Sequence, residues 1–266
     1  MRIRFRFSKL GKVRFTSQRD VARMWERALR RAELPLAYTE GFSPRPQLSF
    51  GLALPTGCES LAEYVDVVLD DARPETADVD VDGLPARLSG MLPEGIEVQR
   101  AGVVERRATS LQQEVTSCSW AMSFRGLTRD ELGARIDALL AAPSVTIVRE
   151  RKGREEEDDL RPSVVSLAVV DGGGDRDVVD VVAELATQPR GVRPIELVRG
   201  LIAVAPAEGA DATRDGAVGT GGIPVLDRAC RTQQWIERDG TRREPVEPQA
   251  DPPDAARAVR ALERAS

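Results

Sequence analysis

The sequence predicts an α+β chain of two ferredoxin-like (βαββαβ) sandwiches in tandem, over residues 1–104 and 105–205, with a flexible tail over 206–266. Three observations carry that reading: strict apolar/charged alternation at the start, a strongly amphipathic helix directly after it, and a second round of strand and helix patterns beyond residue 110. The 266 residues suit two such units, at about 100–150 residues per domain.

Ile3, Phe5 and Phe7 alternate with Arg2, Arg4 and Arg6, the period of a half-buried strand. A turn over 8–11 leads to Val13 and Phe15, alternating with Lys12 and Arg14; this reads as a hairpin, or as one strand interrupted by a bulge. A helix follows from Gln18 to Ala32. Ser17 is its N-cap, and Asp20 sits in the first turn where a negative charge suits the dipole. Val21, Trp25, Ala28 and Ala32 form the apolar stripe, while Arg19, Arg23 and Arg30 cluster within about 40° on the opposite side. Pro35 ends the helix.

The stretch from Gly41 to Gly51 opens as a loop in which Pro44 and Pro46 hold Arg45 on a stiff arch. A strand over 63–69, a weak helix within 75–91 and a closing strand over 95–103 complete the first β-α-β-β-α-β order. In the second half, strands are expected at 114–124, 144–149, 163–170 and 178–185. Helices are expected at 128–141, where Thr128 and Glu131 make a capping box, and at 194–204, with Pro194 in the first turn. Residues 206–222 have linker composition, and 239–254 are charged and proline-rich, which predicts disorder.

Composition excludes much enzymology. The chain has no histidine, so a Ser-His-Asp triad, a Cys-His dyad and histidine-based zinc sites are ruled out. Its three cysteines, Cys58, Cys118 and Cys230, lie far apart and read as reduced thiols, and no C-x-x-C motif is present. No metal site and no cofactor of its own are expected. No run reaches the roughly 18–20 apolar residues of a membrane span, and the charged opening residues lack the apolar stretch of a signal peptide; a cytoplasmic protein is expected. Net charge is −5, yet residues 1–50 carry twelve Lys/Arg against four Asp/Glu, or +8, leaving −13 for the rest. That asymmetry points to an acidic partner for the N-terminal part.

With Ile3, Phe5 and Phe7 packed inward, Arg2, Arg4, Arg6 and Arg14 would line an open sheet face of the kind that binds single-stranded RNA. The aromatics of that strand, however, point into the core, and the arginines of the helix project from the other side. The alternative is a solvated face, or one covered by the second domain. Arg45 is a second candidate, able to grip a phosphate or carboxylate bidentately. The run from Arg149 to Arg161 mixes both charges and reads as a solvated hairpin tip; Arg193 and Pro194 mark a helix entrance able to receive an anion. Asp20 in its arginine-rich setting admits an enzymatic alternative, as the nucleophile of an RNA-modifying activity, although its place at the helix start already accounts for it.

The segments Arg14-Phe15-Thr16-Ser17-Gln18-Arg19-Asp20, Trp25 to Ala32, Gly41-Phe42-Ser43-Pro44-Arg45-Pro46 with Leu48-Ser49-Phe50, Leu54-Pro55-Thr56-Gly57 and Glu63-Tyr64-Val65-Asp66-Val67 together resemble the radical-SAM-linked protein family. Arg161-Pro162 and Val192-Arg193-Pro194 are similar to it as well, so the likeness spans about residues 1–205. It departs where Gln18 and Arg45 stand in place of family histidines. The resemblance implies a functional link to a radical SAM enzyme, often near RNA-processing proteins, and no established reaction; an accessory or substrate-presenting role in RNA modification or processing is the expectation built on it. The chain lacks a C-x-x-x-C-x-x-C motif, so the iron–sulfur cluster and S-adenosylmethionine are expected only in that partner. On this reading structured or single-stranded RNA is the substrate, and Arg4, Arg6, Arg14, Ser17, Arg19, Arg23 and the Gly41–Pro46 arch bind RNA or the partner. A protein–protein adaptor without nucleic acid is the remaining alternative.

Overall fold

The alternation of residues 2–7 does form a strand, and its two faces meet different surroundings. The computed structural model describes residues 1–105, 108–151, 153–171, 177–205 and 222–246. In chain order the elements are β1 (Arg2–Lys9), α1 (Gln18–Arg31), β2 (Leu48–Phe50), β3 (Glu59–Val68), α2 (Leu84–Ser89), β4 (Ile96–Val104), α3 (Leu111–Glu114) and β5 (Ser117–Arg125). There follow α4 (Arg129–Ala141), β6 (Thr146–Arg151), β7 (Arg154–Asp159), β8 (Val164–Val169), β9 (Val179–Ala186), α5 (Pro194–Ala203), β10 (Val225–Arg238) and β11 (Thr241–Arg243). The fold is mixed α+β with mainly antiparallel sheet. It divides into two units, residues 1–116 with 230–266, and residues 117–229.

In the first unit β1 lies between β4 and β3, antiparallel to both; Phe5 faces Val65 on one side and Ala101 on the other. β2 pairs with the end of β3, and β10 pairs with its start in parallel, Cys230 beside Glu59. On one face Ile3, Phe5, Phe7, Val65, Val67 and Val98 pack against Val21, Trp25 and Leu29 of α1 and against Leu84 and Leu88 of α2. The Trp25 ring stands 5.6 Å from Phe5 and 5.0 Å from Phe7, centroid to centroid. Burying each such large side chain contributes roughly 1.5–3 kcal/mol. Ser17 caps α1 by accepting the Asp20 amide, as its sequence position requires.

Three expectations are corrected. Residues 11–15 continue β1 neither as a hairpin arm nor as a bulged strand: Gly11 takes φ +65°, and Gly11–Phe15 is a 3-10 turn. Four of its five residues alternate in polarity, but a single turn is too short for periodicity to distinguish. The second unit does not repeat the first. Its sheet runs β5–β9–β8, while β6 and β7 pair with each other in a separate two-stranded sheet. β7 reads Arg154-Glu155-Glu156-Glu157-Asp158-Asp159 and has no apolar residue to bury in a larger sheet. There α4 carries the expected capping box of Thr128 and Glu131 and buries Leu132, Ile136 and Leu139.

The tail is not wholly irregular either. Residues 222–246 hold the long strand β10 and, through the two-residue turn Asp239-Gly240 with φ +52° and +73°, the strand β11. Asp-Gly with both φ positive is the preferred hairpin turn. β10 escapes hydropathy reading because its buried positions include Arg231, Gln233 and Gln234. Of the linker expected over 206–222, residues 206–221 lie outside the described residues, as do the residues from 247 onward.

Candidate nucleic-acid interface

The second face of β1 carries Arg2, Arg4 and Arg6, opposite Trp25, and it is not open. Arg4 sits directly across from Asp66 in the β1–β3 register. The Asp66 carboxylate accepts from Arg4 Nε at 2.7 Å and Nη2 at 3.1 Å, and also from Arg2 Nη2. Arg4 Nη1 donates onward to the Pro245 carbonyl at 3.4 Å and reaches Glu114 at 3.5 Å. Beside it, Glu244 takes Arg6 Nη1 at 2.8 Å and Arg100 Nη1 at 3.1 Å on one oxygen, and Gln233 Nε2 at 2.6 Å on the other. Arg4 and Arg6 are 3% and 2% exposed. Glu244, Pro245 and Val246, which follow β11, are buried over this face.

Arg4 and Arg6 are therefore structural residues, a correction to the expectation that they meet phosphates. Guanidinium groups held by internal carboxylates and shielded from water have no field left to offer a polyanion. The network extends through Tyr64, whose hydroxyl lies 3.5 Å from Gln233 and whose pKa burial pushes up, and through Arg231, paired with Glu63 at 2.6 Å. Burial also lowers the pKa of the Lys9 ammonium and raises that of the Cys58 thiol. Cys58 is thus held as the thiol, which is a poor nucleophile.

Other basic residues do face solvent, and a group of them lies on the turn and on α1. Lys12, Arg19, Arg23, Arg27, Arg30 and Arg31 are exposed. At about 100° per residue, Arg19, Arg23, Arg27 and Arg30 fall within about 80° of one another, opposite Trp25, along about 16 Å of helix. Asp20 and Glu26 are the acidic residues among five arginines between positions 18 and 31. Arg23 makes an exposed ion pair with Asp20 at 3.4 Å, a contact worth little in water. The Asp20 pKa is lowered, first by the hydrogen bond from the Ser17 hydroxyl. Asp20 is thus explained as a helix-start residue. Arg14 is partly exposed, with Nη1 3.5 Å from the buried Glu59.

The Gly41–Pro46 segment is the stiff arch its prolines require. Thr39 N–H donates to the Arg45 carbonyl at 2.9 Å, Arg45 N–H to Thr39 Oγ1 at 3.1 Å, and Gln47 N–H to the Ala37 carbonyl at 2.9 Å. Gly41, with φ +120°, turns the tip. Phe42, Ser43, Pro44 and Arg45 are exposed, Phe42 wholly so, while Pro46 is buried. Arch and turn do not form one site. The Gly57 amide bonds the Arg14 carbonyl before the start of β3, whereas the Val68 amide bonds the Gln47 carbonyl at its end. The ten residues of β3 set them roughly 30 Å apart, at about 3.3 Å per residue.

Two further candidates resolve differently. At the entrance of α5, Glu196 accepts the Arg193 amide at 2.7 Å, so a carboxylate of the chain itself already stands there. Arg149 is buried with Glu196 at 3.3 Å and Asp158 at 3.0 Å, while the β6–β7 turn at Gly153 is solvated. In the first unit a cavity of about 460 Å³ runs beside the edge strand β4, lined by Pro85, Ala86, Arg100, Val103, Arg243 and Val246. Among the described residues no group of three or more Cys, Asp or Glu is placed to hold a metal ion, and no helix is long and apolar enough to cross a membrane.

A family model described as an uncharacterised protein conserved in bacteria (DUF2344) matches residues 2–194. Among solved structures the chain is similar to one titled a crystal structure of a Cbf5-Nop10-Gar1 complex, at 10% identity and a TM-score of 0.44. That match covers 86% of this chain and 49% of the other, so the chain spans about half its length. A search of curated proteins gives no match.

Proposed function

The chain belongs to the DUF2344 family of bacterial proteins, and for this member we propose an accessory role: it presents RNA to a radical SAM enzyme and has no catalytic centre of its own. The observation that carries the nucleic-acid half is the row of exposed arginines on α1. Four arginines that rise about 4.5–6 Å from one to the next along a helix form an extended row, which suits an extended polyanion better than a compact anion. The partner half rests on the segment-by-segment likeness to radical-SAM-linked proteins, and on the exposed Phe42 and Arg45 of the arch. Aromatic and arginine side chains on a rigid loop are the residue types that dominate protein interfaces.

Two measurements test the reading. Affinity for a single-stranded RNA oligonucleotide is expected to fall with salt at a log–log slope of about −3, from roughly −0.7 per neutralised phosphate over four arginines. A salt-insensitive complex, or none, removes the RNA half. Size exclusion of the chain mixed with the radical SAM enzyme, with and without ribonuclease, tests the partner half. Co-elution is expected; co-elution indifferent to ribonuclease, by a chain that binds no RNA, assigns an adaptor instead.

A further inference from the structure

We propose that the 3-10 turn Gly11–Phe15 is a nucleobase-stacking platform, its Phe15 ring receiving an unpaired base of the RNA strand whose backbone follows α1; this rests on the nucleic-acid reading above. Phe15 is 63% exposed, a large ring left in water immediately before the helix that carries the arginines. The turn that displays it is fixed from several sides. The fully buried Glu59 accepts the Gly11 amide at 2.7 Å and holds Arg14 at 3.5 Å. Lys9 Nζ donates to the Thr16 carbonyl at 2.9 Å, and the Gly57 amide to the Arg14 carbonyl at 2.9 Å. Leu10 N–H donates to the Gly95 carbonyl at 2.8 Å.

Arg14 and Phe15 form a unit. The guanidinium carbon of Arg14 lies 4.6 Å from the Phe15 ring centroid. Anchored through Glu59, that cation steadies the ring, so little freedom is lost when a flat partner stacks on it. With Arg14 engaged by Glu59 and by the ring, the exposed Lys12 of the same turn supplies positive charge for a phosphate flanking a stacked base. From Phe15 the chain passes through Thr16 and Ser17 into α1, and Arg19 is the second residue of that helix. A ring beside a basic row is the usual plan for holding single strands, in which aromatics take bases and cations take phosphates. A duplex offers no splayed base, so the platform selects RNA that is single-stranded at this point.

The test uses the full chain and a fluorescent single-stranded RNA of about 12 nucleotides, long enough to cover turn and helix. Phe15→Ala is expected to weaken binding about 5- to 150-fold, the range for loss of one stacked base, with the salt slope unchanged. Phe15→Trp should retain affinity and show indole emission quenched by the oligonucleotide, whereas Phe15→Leu, equally apolar but without a π face, should not rescue. An abasic position in the oligonucleotide should reproduce the Phe15→Ala loss in the wild type and add nothing to it in the variant. Equal binding by wild type and Phe15→Ala overturns the platform and leaves the α1 reading standing; no binding by the wild type overturns both. Loss of the radical SAM enzyme from Phe15→Ala with RNA affinity intact assigns the ring to protein docking, against the proposal.

Discussion

Replacing Glu244 by Ala tests whether the arginines of β1 are structural. Its carboxylate receives three donors, from Arg6, Arg100 and Gln233, at 2.8, 3.1 and 2.6 Å. The Arg6 side chain is 3% exposed, so removing Glu244 strands a buried cation that water cannot readily reach. Breaking a buried pair by deleting one partner costs about 3–5 kcal/mol, more than the pair contributes relative to an apolar isostere. With a urea dependence of about 2 kcal/mol per molar for a unit of this size, the midpoint should fall by about 2 M. Tryptophan fluorescence in a Trp120→Phe background reads the first unit, where Trp25 and Trp235 lie. The double variant Glu244→Ala with Arg6→Met should recover part of the loss, because it removes the stranded charge. A Glu244→Ala midpoint within about 0.5 M of the parent would refute the buried network, since a solvated pair is worth no more than about 1 kcal/mol.

Three further outcomes follow from local geometry. Ser17→Ala should destabilise the first unit by about 1 kcal/mol through loss of the N-cap. Carboxyl NMR titration should also show the Asp20 pKa rising toward the ordinary aspartate value, because the Ser17 hydroxyl is the main cause of its depression. Gly95→Ala should cost at least about 1 kcal/mol and loosen the turn before α1: Gly95 takes φ +90°, and an added Cβ would meet the Leu10 carbonyl at 2.4 Å. Tyr64 sets an alkaline limit. Burial raises its pKa, so its contribution is complete below the unfolded value of about 10 and is lost as pH rises beyond it. Phe at this position should remove that part of the pH dependence, read as midpoint against pH for the two chains.

The first unit was largely legible because its signals are local. Apolar spacing around Trp25, the Ser17 cap and the two prolines of the arch each specify structure within a few residues, and the arginine cluster on α1 follows from helical spacing alone. What defeated local reading was partner identity. Alternating arginines look the same whether they face water or carboxylates; those of β1 face Asp66 and Glu244, about 60 and 240 positions away, and no period in residues 2–7 encodes that. The same blindness hid β10, whose inward positions are polar because they complete the network. Its one available signal was the Asp239-Gly240 turn flanked by Arg238 and Thr241. Phe15 was readable as apolar but not as exposed, since its exposure depends on Gly11 and the buried Glu59.

The most direct test compares salt dependence of RNA affinity for three chains: wild type, Arg6→Met, and the combined Arg19→Ala, Arg23→Ala and Arg27→Ala variant. Arg6→Met should keep the wild-type slope of about −3, and the helix variant should lose about 0.7 for each arginine removed, ending near −1. A slope that is unchanged in the helix variant, or that drops on loss of Arg6, would contradict the assignment of the contact surface to α1.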